Sequence, residues 1–485
     1  MSPNRHPNPN ASEADFHPPP SSWGFAVFGN PLVQVLRFFS KIVLAWFLSP
    51  AIFGDVFLAG MLATAISLLA IWGLDDACVF APRLDQTIWR RLRRFHLWTG
   101  LGGSALAAAL GWSLLGVWPE TGRYLLFLAP MIALAMQAVL PSARLIRARQ
   151  YRRTFTVEVG STCAMVAAIL ISAGLGLEAW SLVVGWYANA ATALALSHVQ
   201  LSHAPLDKTE TEVQKLDDRV LSRGFDLALS NLTVMLGQKV ESFATRIFLG
   251  RAFLGRLEFS WQVSQPTPEF TEQVAERLLM PGFGTAAAET KIQRSEAAFR
   301  LVMGTLLPFH LLAAFVIHDL APQVLPDAWR ATGPLIALLV GAAGFRSLEV
   351  VAITLLKAQS RSRSVLVLSW LRLALVLFAV TLSLNFGLLA LVIGAVIARF
   401  ASAVIAVRVA RNALREATGL ELASSDWGLR RLLLAAIVPI AAYLGLSGLD
   451  SWRPGIIIGV GIASWWIAGR LSHHPSLRTE IESLR

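Results

Sequence analysis

The chain is short of the residues that hold secreted, soluble or metal-dependent proteins together. Only two cysteines occur in 485 residues, Cys78 and Cys163, and both fall at or inside apolar runs. Their spacing fits neither a metal-ligand set nor a redox pair, so no disulfide framework is expected. Charged residues make up 15% of the chain against 55% hydrophobic ones, and the mean hydropathy is +0.57. That balance excludes an ordinary soluble globule and indicates a polytopic membrane protein. Acidic residues are the scarcer sign, 31 against 42 basic ones, which leaves a net charge of +11. The basic residues stand in short clusters between apolar spans, a pattern of membrane topology that argues against a nucleic-acid partner. Enzyme signatures are missing as well: there is no P-loop, no Cys or His pair at metal spacing and no Gly-x-Ser-x-Gly elbow. The longest outward loop, about 317–332, carries Asp319 and Asp327 and is short for the carboxylate-bearing loop of a membrane glycosyltransferase. No enzymatic activity, cofactor or metal is expected. The first 22 residues, rich in Pro, Asn and Ser, lack the basic start and apolar core of a signal peptide and read as a disordered cytoplasmic tail.

What the chain does have is apolar length. Windows fall near 24–48, 53–74, 96–118, 124–142, 156–177, 179–198, 224–250, 255–280, 300–320, 332–356, 364–384, 386–407, 432–449 and 455–471. Each approaches the roughly 20 residues that cross a bilayer, so an all-α protein of about fourteen transmembrane helices is expected. Positive residues favour the cytoplasm, and the connections alternate accordingly. Arg90, Arg91, Arg93 and Arg94, the cluster from Arg144 to Arg153, Lys357 with Arg361 and Arg363, and Arg408 to Arg431 lie on one side. Connections on the other side hold one or two basic residues each. An even number of spans with both termini cytoplasmic follows.

The chain also repeats itself. Leu48-Ser-Pro-Ala-Ile-Phe-Gly54, after the first span, is echoed by Leu249-Gly-Arg-Ala-Phe-Leu-Gly255, after the seventh. Six spans separate the two, so the halves share one orientation as parallel repeats. The expected organisation is a tail over 1–22, a six-helix lobe over 23–200, a polar linker over 201–223 and a second six-helix lobe over 224–410. A linker over 411–430, two extra spans over 431–472 and a tail over 473–485 complete it.

Ionisable residues inside spans are costly unless they face a wet interior, so their positions are informative. The first span carries Gln34, Arg37 and Lys41 on one helical face. The seventh carries Gln238, Lys239, Glu241 and Arg246, the eleventh Arg372 and the twelfth Arg399. Arg346 and Glu349 of the tenth are three apart, and an ion pair between them is at least as natural as a transport role. The eighth reads Glu258, Gln262, Gln265, Glu269, Glu272 and Glu276, one polar face interrupted by Pro266 and Pro268. Backbone broken at membrane depth is tolerated where it lines a cavity. His96, His198 and His203 sit at span ends and read as interfacial packing. The first and eighth spans are therefore expected to line one water-filled cavity.

These motifs resemble a family. The bend Leu48-Ser49-Pro50-x-x-Phe53-Gly54 after a polar first helix, the segment from Glu269 to Pro281, and the loop Leu320-Ala-Pro-Gln-Val-Leu before the tenth span are similar to polysaccharide (Wzx-type, lipid-linked oligosaccharide) flippases. Those proteins belong to the multidrug/oligosaccharidyl-lipid/polysaccharide exporter superfamily. The resemblance implies two six-helix lobes in parallel pseudo-repeat around a central cavity that opens alternately to each side. The two extra C-terminal spans are similar to fourteen-helix members, which include the lipid II flippases. It also implies a substrate, an undecaprenyl-diphosphate-linked repeat unit moved towards the periplasm for exopolysaccharide or O-antigen synthesis, with membrane lipids, a polysaccharide polymerase and export machinery as partners. Gln34, Arg37, Lys41, Gln238, Lys239, Arg246, Gln262, Gln265 and Arg372 are the candidate cavity residues. Glu241 and Glu269 are the candidates for a coupling H+ or Na+. Two alternatives stand beside this: a multidrug antiporter of the same superfamily, which would need an acidic cavity, and a non-transporting scaffold of a synthesis complex.

Overall fold

A computed structural model describes residues 20–74, 78, 86–148, 150–201, 232–233, 235–274, 292, 295–296, 298–299, 302–359 and 361–418. Among these residues the fold is helical throughout, with no strand. The first half contributes α1 (Pro20–Phe47), α2 (Pro50–Ile71), α3 (Gln86–Leu114), α4 (Pro119–Arg147), α5 (Tyr151–Gly174) and α6 (Trp180–Gln200). In the second half, α7 (235–244) runs into a π-helical turn at Thr245–Leu249, followed by α8 (Arg251–Ser264) and α9 (Pro266–Val274). Then come α10 (Leu307–Val324), a 3-10 turn (Asp327–Thr332), α11 (Gly333–Ala358), α12 (Ser362–Ser383) and α13 (Leu388–Thr418).

Seven of the described helices are long and apolar enough to cross a membrane by length and composition: α2, α4, α5, α6, α11 with its preceding turn, α12 and α13. The expected windows at 432–449 and 455–471, and the linker from 202, lie outside the described residues. The eighth window divides at its prolines. α8 ends at Ser264, Gln265 forms the bend, and Pro266 opens α9. Proline supplies no amide and suits the first turn of a new helix, so the break sits where the sequence puts it.

α1 to α6 pack among themselves, as do α8 to α13, and the two sets meet mainly where α2 crosses α8. The crossing is built by the repeated motif. Ser49, extended at ψ 153°, caps α2 by accepting from the Ile52 amide at 3.4 Å, with Pro50 in the first turn. Its counterpart Gly250 takes φ +99°, where a residue with a side chain would be strained. Four residues beyond each motif's Pro50 or Arg251 stands a glycine, and the two glycines face each other. A Cβ on Gly54 would lie 2.2 Å from the Arg251 carbonyl oxygen, and one on Gly255 would lie 1.7 Å from that of Pro50. Pro50 and Arg251 are themselves equivalent in the echo. The contact is therefore reciprocal, as at a two-fold axis.

Around this crossing the two halves share one apolar core. It runs from Leu44, Phe53, Leu125 and Leu182 in the first half to Phe259, Trp329, Ile336 and Val340 in the second. Trp329 is fully buried, packs edge-on to Phe53 at 5.4 Å and lies 4.7 Å from Phe259. Its indole N–H donates to the Leu48 carbonyl at 2.9 Å. At the arginine-rich end the cores are separate. One is confined to α3, α4 and the chain at Leu74 and Cys78, another to α10 to α13 and the chain just before them. The halves are thus sealed together at the Gly54 end and hold distinct cores at the other.

Candidate functional site

The polar residues of α1 lie behind the seal. Helix rise places Lys41 about 9 Å, Arg37 about 15 Å and Gln34 about 20 Å from the end of α1 at Phe47. Gln34 is buried and donates its amide to Glu269 of α9, linking the first and eighth spans directly. The Lys41 ammonium lies within electrostatic reach of Glu269, Glu258, Arg37 and Lys239. Residues from the first, seventh and eighth spans therefore share one locality. Lys239 pairs with Glu258 at 2.8 Å, and the Ser242 hydroxyl donates to the other oxygen of that carboxylate. Glu258 is 1% exposed and Lys239 24%, so the pair presents its cationic side outward. Gln262 follows Glu258 by one turn and is half-buried.

Further cations of the second half are engaged by acids or amides. Arg399 donates to Glu241 at 2.9 Å, both at most 4% exposed, and its guanidinium lies 4.1 Å over the Trp261 ring. Arg372 pairs with Glu349 at 3.2 Å, whose second oxygen accepts from Ser402 at 2.8 Å. Arg346 donates to the Gln265 side-chain oxygen at 2.8 Å and lies 3.8 Å from Glu272. The ion pair that the spacing of Arg346 and Glu349 allows is not formed: Glu349 is taken by Arg372 from the neighbouring α12, and Arg346 reaches across to the broken eighth span.

Arg37 and Lys41 differ from all of these. Among the described residues neither forms an ion pair, and the Arg37 Nε is buried without a hydrogen-bond partner. Two adjacent cations of one helix face are left over at the level where the other charges are matched. Leaving charge unmatched in a partly buried site is expensive. The arrangement suits an incoming anion.

Several expected residues sit elsewhere. Arg246 is at the seam of the Gly54 end, 3.0 Å from Asp55 of α2 and over the Trp118 ring at 5.2 Å. Arg251 reaches the second Asp55 oxygen at 3.4 Å, and Thr121 donates to the first at 3.2 Å. Asp55 is 2% exposed and ties both halves together. Sequence reasoning passed over it, although an acid directly after Gly54 in an apolar run was the available signal. Arg372 and Glu241 are held inside the second half, with Arg372 in electrostatic reach of Arg346. Gln238 is half-buried on α7. Among the described residues no group of three or more His, Cys, Asp or Glu is placed to hold a metal.

Comparison with known proteins adds a family and a fold. A profile of polysaccharide biosynthesis proteins matches residues 43–334. No curated protein sequence matches the chain. Among solved structures, the lipid II flippase MurJ in an inward closed conformation is similar at a TM-score of 0.61 and 12% identity, over 92% of this chain and 98% of that one. A multidrug resistance MATE family transporter of the MOP superfamily, in an inward-facing conformation, is similar at 0.57 and 14% identity, over 82% and 99%. A MATE structure in complex with MaD5 is similar at 0.57 and 15% identity, over 82% and 96%. At these identities the likeness is one of fold.

Proposed function

We propose, from the premise that this chain belongs to the polysaccharide biosynthesis protein family, that it is a flippase moving polyprenyl-diphosphate-linked oligosaccharide across the bacterial inner membrane. The observation that carries the reading is the pair Arg37 and Lys41. They are neighbouring cations without acidic partners, in a region where Lys239, Arg346, Arg372 and Arg399 have theirs. A diphosphate brings several anionic oxygens, and a guanidinium beside an ammonium offers a fork and a point charge to bind them. Fixed positive groups offset the desolvation that otherwise makes an anion's passage slow. Gln262 and Gln265 on the broken eighth span are the candidates for sugar hydroxyls, and Lys239 and Gln238 extend the lining along α7. A cationic drug would meet surplus positive charge here, which disfavours an antiporter.

The sealed Gly54 end and the separate cores at the arginine-rich end support an inward-facing state, with the arginine-rich end and both termini in the cytoplasm. Release outward would require the lobes to part at the seam and close at the other end. Glu269, joined to Gln34 across the two spans, is the candidate for a coupling H+ or Na+; Glu241, matched by Arg399, is the second. The test is deletion of the gene followed by labelling with a radioactive sugar precursor. Lipid-linked repeat units should accumulate in the inner leaflet. An unchanged distribution between leaflets would overturn the proposal.

A further inference from the structure

Away from the central site, a cleft opens between α3, α4 and α6 at the arginine-rich end of the first half. Trp89, Arg93 and His96 of α3 line it, at positions i, i+4 and i+7 of one helical face. Gln137 of α4 and His198 of α6 complete its polar wall. The imidazoles are fixed from behind: His96 Nδ1 donates to the Met136 carbonyl and His198 Nδ1 to that of Leu194, each at 3.0 Å. The Gln137 amide nitrogen is buried without a hydrogen-bond partner, and so is the Nε of Arg144, whose guanidinium stacks on Trp89 at 5.1 Å. Unmade hydrogen bonds of buried donors are costly. The cleft lining holds no carboxylate. Among the described residues Arg90, Arg91, Arg93, Arg94 and Arg144 form no ion pair, whereas arginines elsewhere, such as Arg361 with Glu416, do.

We infer that this cleft is a binding site for the phosphate of an acidic phospholipid headgroup. A tetrahedral anion at the mouth would take the Arg93 guanidinium as a direct donor and reach the buried Gln137 amide through a water in the narrow cleft, and it would offset the surplus charge of the arginine cluster. Basic pockets between helices at the cytoplasmic surface suit such headgroups. The flanks select a lipid over free phosphate. Phe95, Trp98, Ile146 and Val199 lie beside the cleft residues on the same helices and are exposed, with Trp98 at 71%. They offer acyl chains an apolar path leading away from the charged mouth. The site would anchor the first half to its leaflet, independently of what the central site carries.

Native mass spectrometry of the full chain in detergent, titrated with phosphatidylglycerol or phosphatidylcholine, tests this. The wild type should retain a first phosphatidylglycerol in preference to phosphatidylcholine. Arg93→Gln should weaken that retention about tenfold, the scale of a lost charge-assisted hydrogen bond, and Gln137→Leu should weaken it by less, the scale of a lost water bridge. Arg91→Gln, which changes an exposed arginine outside the lining, should not. If either variant fails to elute as a folded species, His198→Ala carries the same expectation. Equal retention of the two lipids, or unchanged phosphatidylglycerol binding in the lining variants, would overturn the inference. Displacement by millimolar inorganic phosphate, sensitive to Arg93→Gln, would support phosphate recognition and overturn the lipid source.

Discussion

A buried charge is worth what its partner makes of it, and this protein contains both kinds. Arg399 and Glu241 are almost fully buried and meet at 2.9 Å. Removing one partner strands the other, so Arg399→Ala should destabilise by about 3–5 kcal/mol, read as a lower melting temperature of the detergent-solubilised protein. The double variant Glu241→Leu with Arg399→Met should melt close to wild type, because a well-packed apolar pair replaces the ions without a stranded charge. Among the described residues Lys41 and Arg37 form no ion pair, so Lys41→Ala should leave the melting temperature close to wild type while transport falls. Which acid meets which base was not legible in the sequence. Arg346 and Glu349 have the spacing of a helical pair, yet the carboxylate turns to Arg372 on the next helix and the guanidinium to Gln265. Spacing fixes which face a side chain is on, and tertiary packing decides what stands opposite.

Elements were more legible, because apolar length and breakers act locally. α2, α5, α6, α11 and α12 fall on their windows, and the Pro266 break falls on its prolines. α3 begins at Gln86, ahead of its window at 96, since arginines that shorten an apolar run are good helix formers and extend the helix past the bilayer. The sequence echo was visible, but its meaning was not. Two copies of one motif meet as a glycine crossing that neither copy reveals alone. This element supports two predictions. Gly255→Val should force α2 and α8 apart, since even a Cβ would lie 1.7 Å from the Pro50 carbonyl oxygen. In a Cys163→Ser background, a cysteine at Ile52 should then react faster with an impermeant maleimide applied from outside. Asp55→Asn should act in the same direction and more weakly, because the Arg246 and Arg251 contacts lose their charge while the glycine crossing remains. Unchanged labelling in both variants would remove the seam as the closure of the Gly54 end.

At the scale of the whole molecule, composition indicates a membrane protein, while the candidate site needs residues from three spans far apart in sequence. Gln34 and Glu269 are separated by 235 positions and touch. The chain shares its fold with MurJ and MATE structures, and the two cations of α1 that form no ion pair sit behind the seam between its halves. The central claim is that an anionic headgroup passes through that place. The direct measurement is export in cells lacking the native gene and complemented with Arg37→Ala/Lys41→Ala, scored as the fraction of radiolabelled lipid-linked repeat units accessible from the periplasmic side. The account predicts a fall of about tenfold or more relative to wild type, since two charge-assisted contacts are lost, at normal membrane abundance and melting temperature. Wild-type export at normal abundance would contradict it.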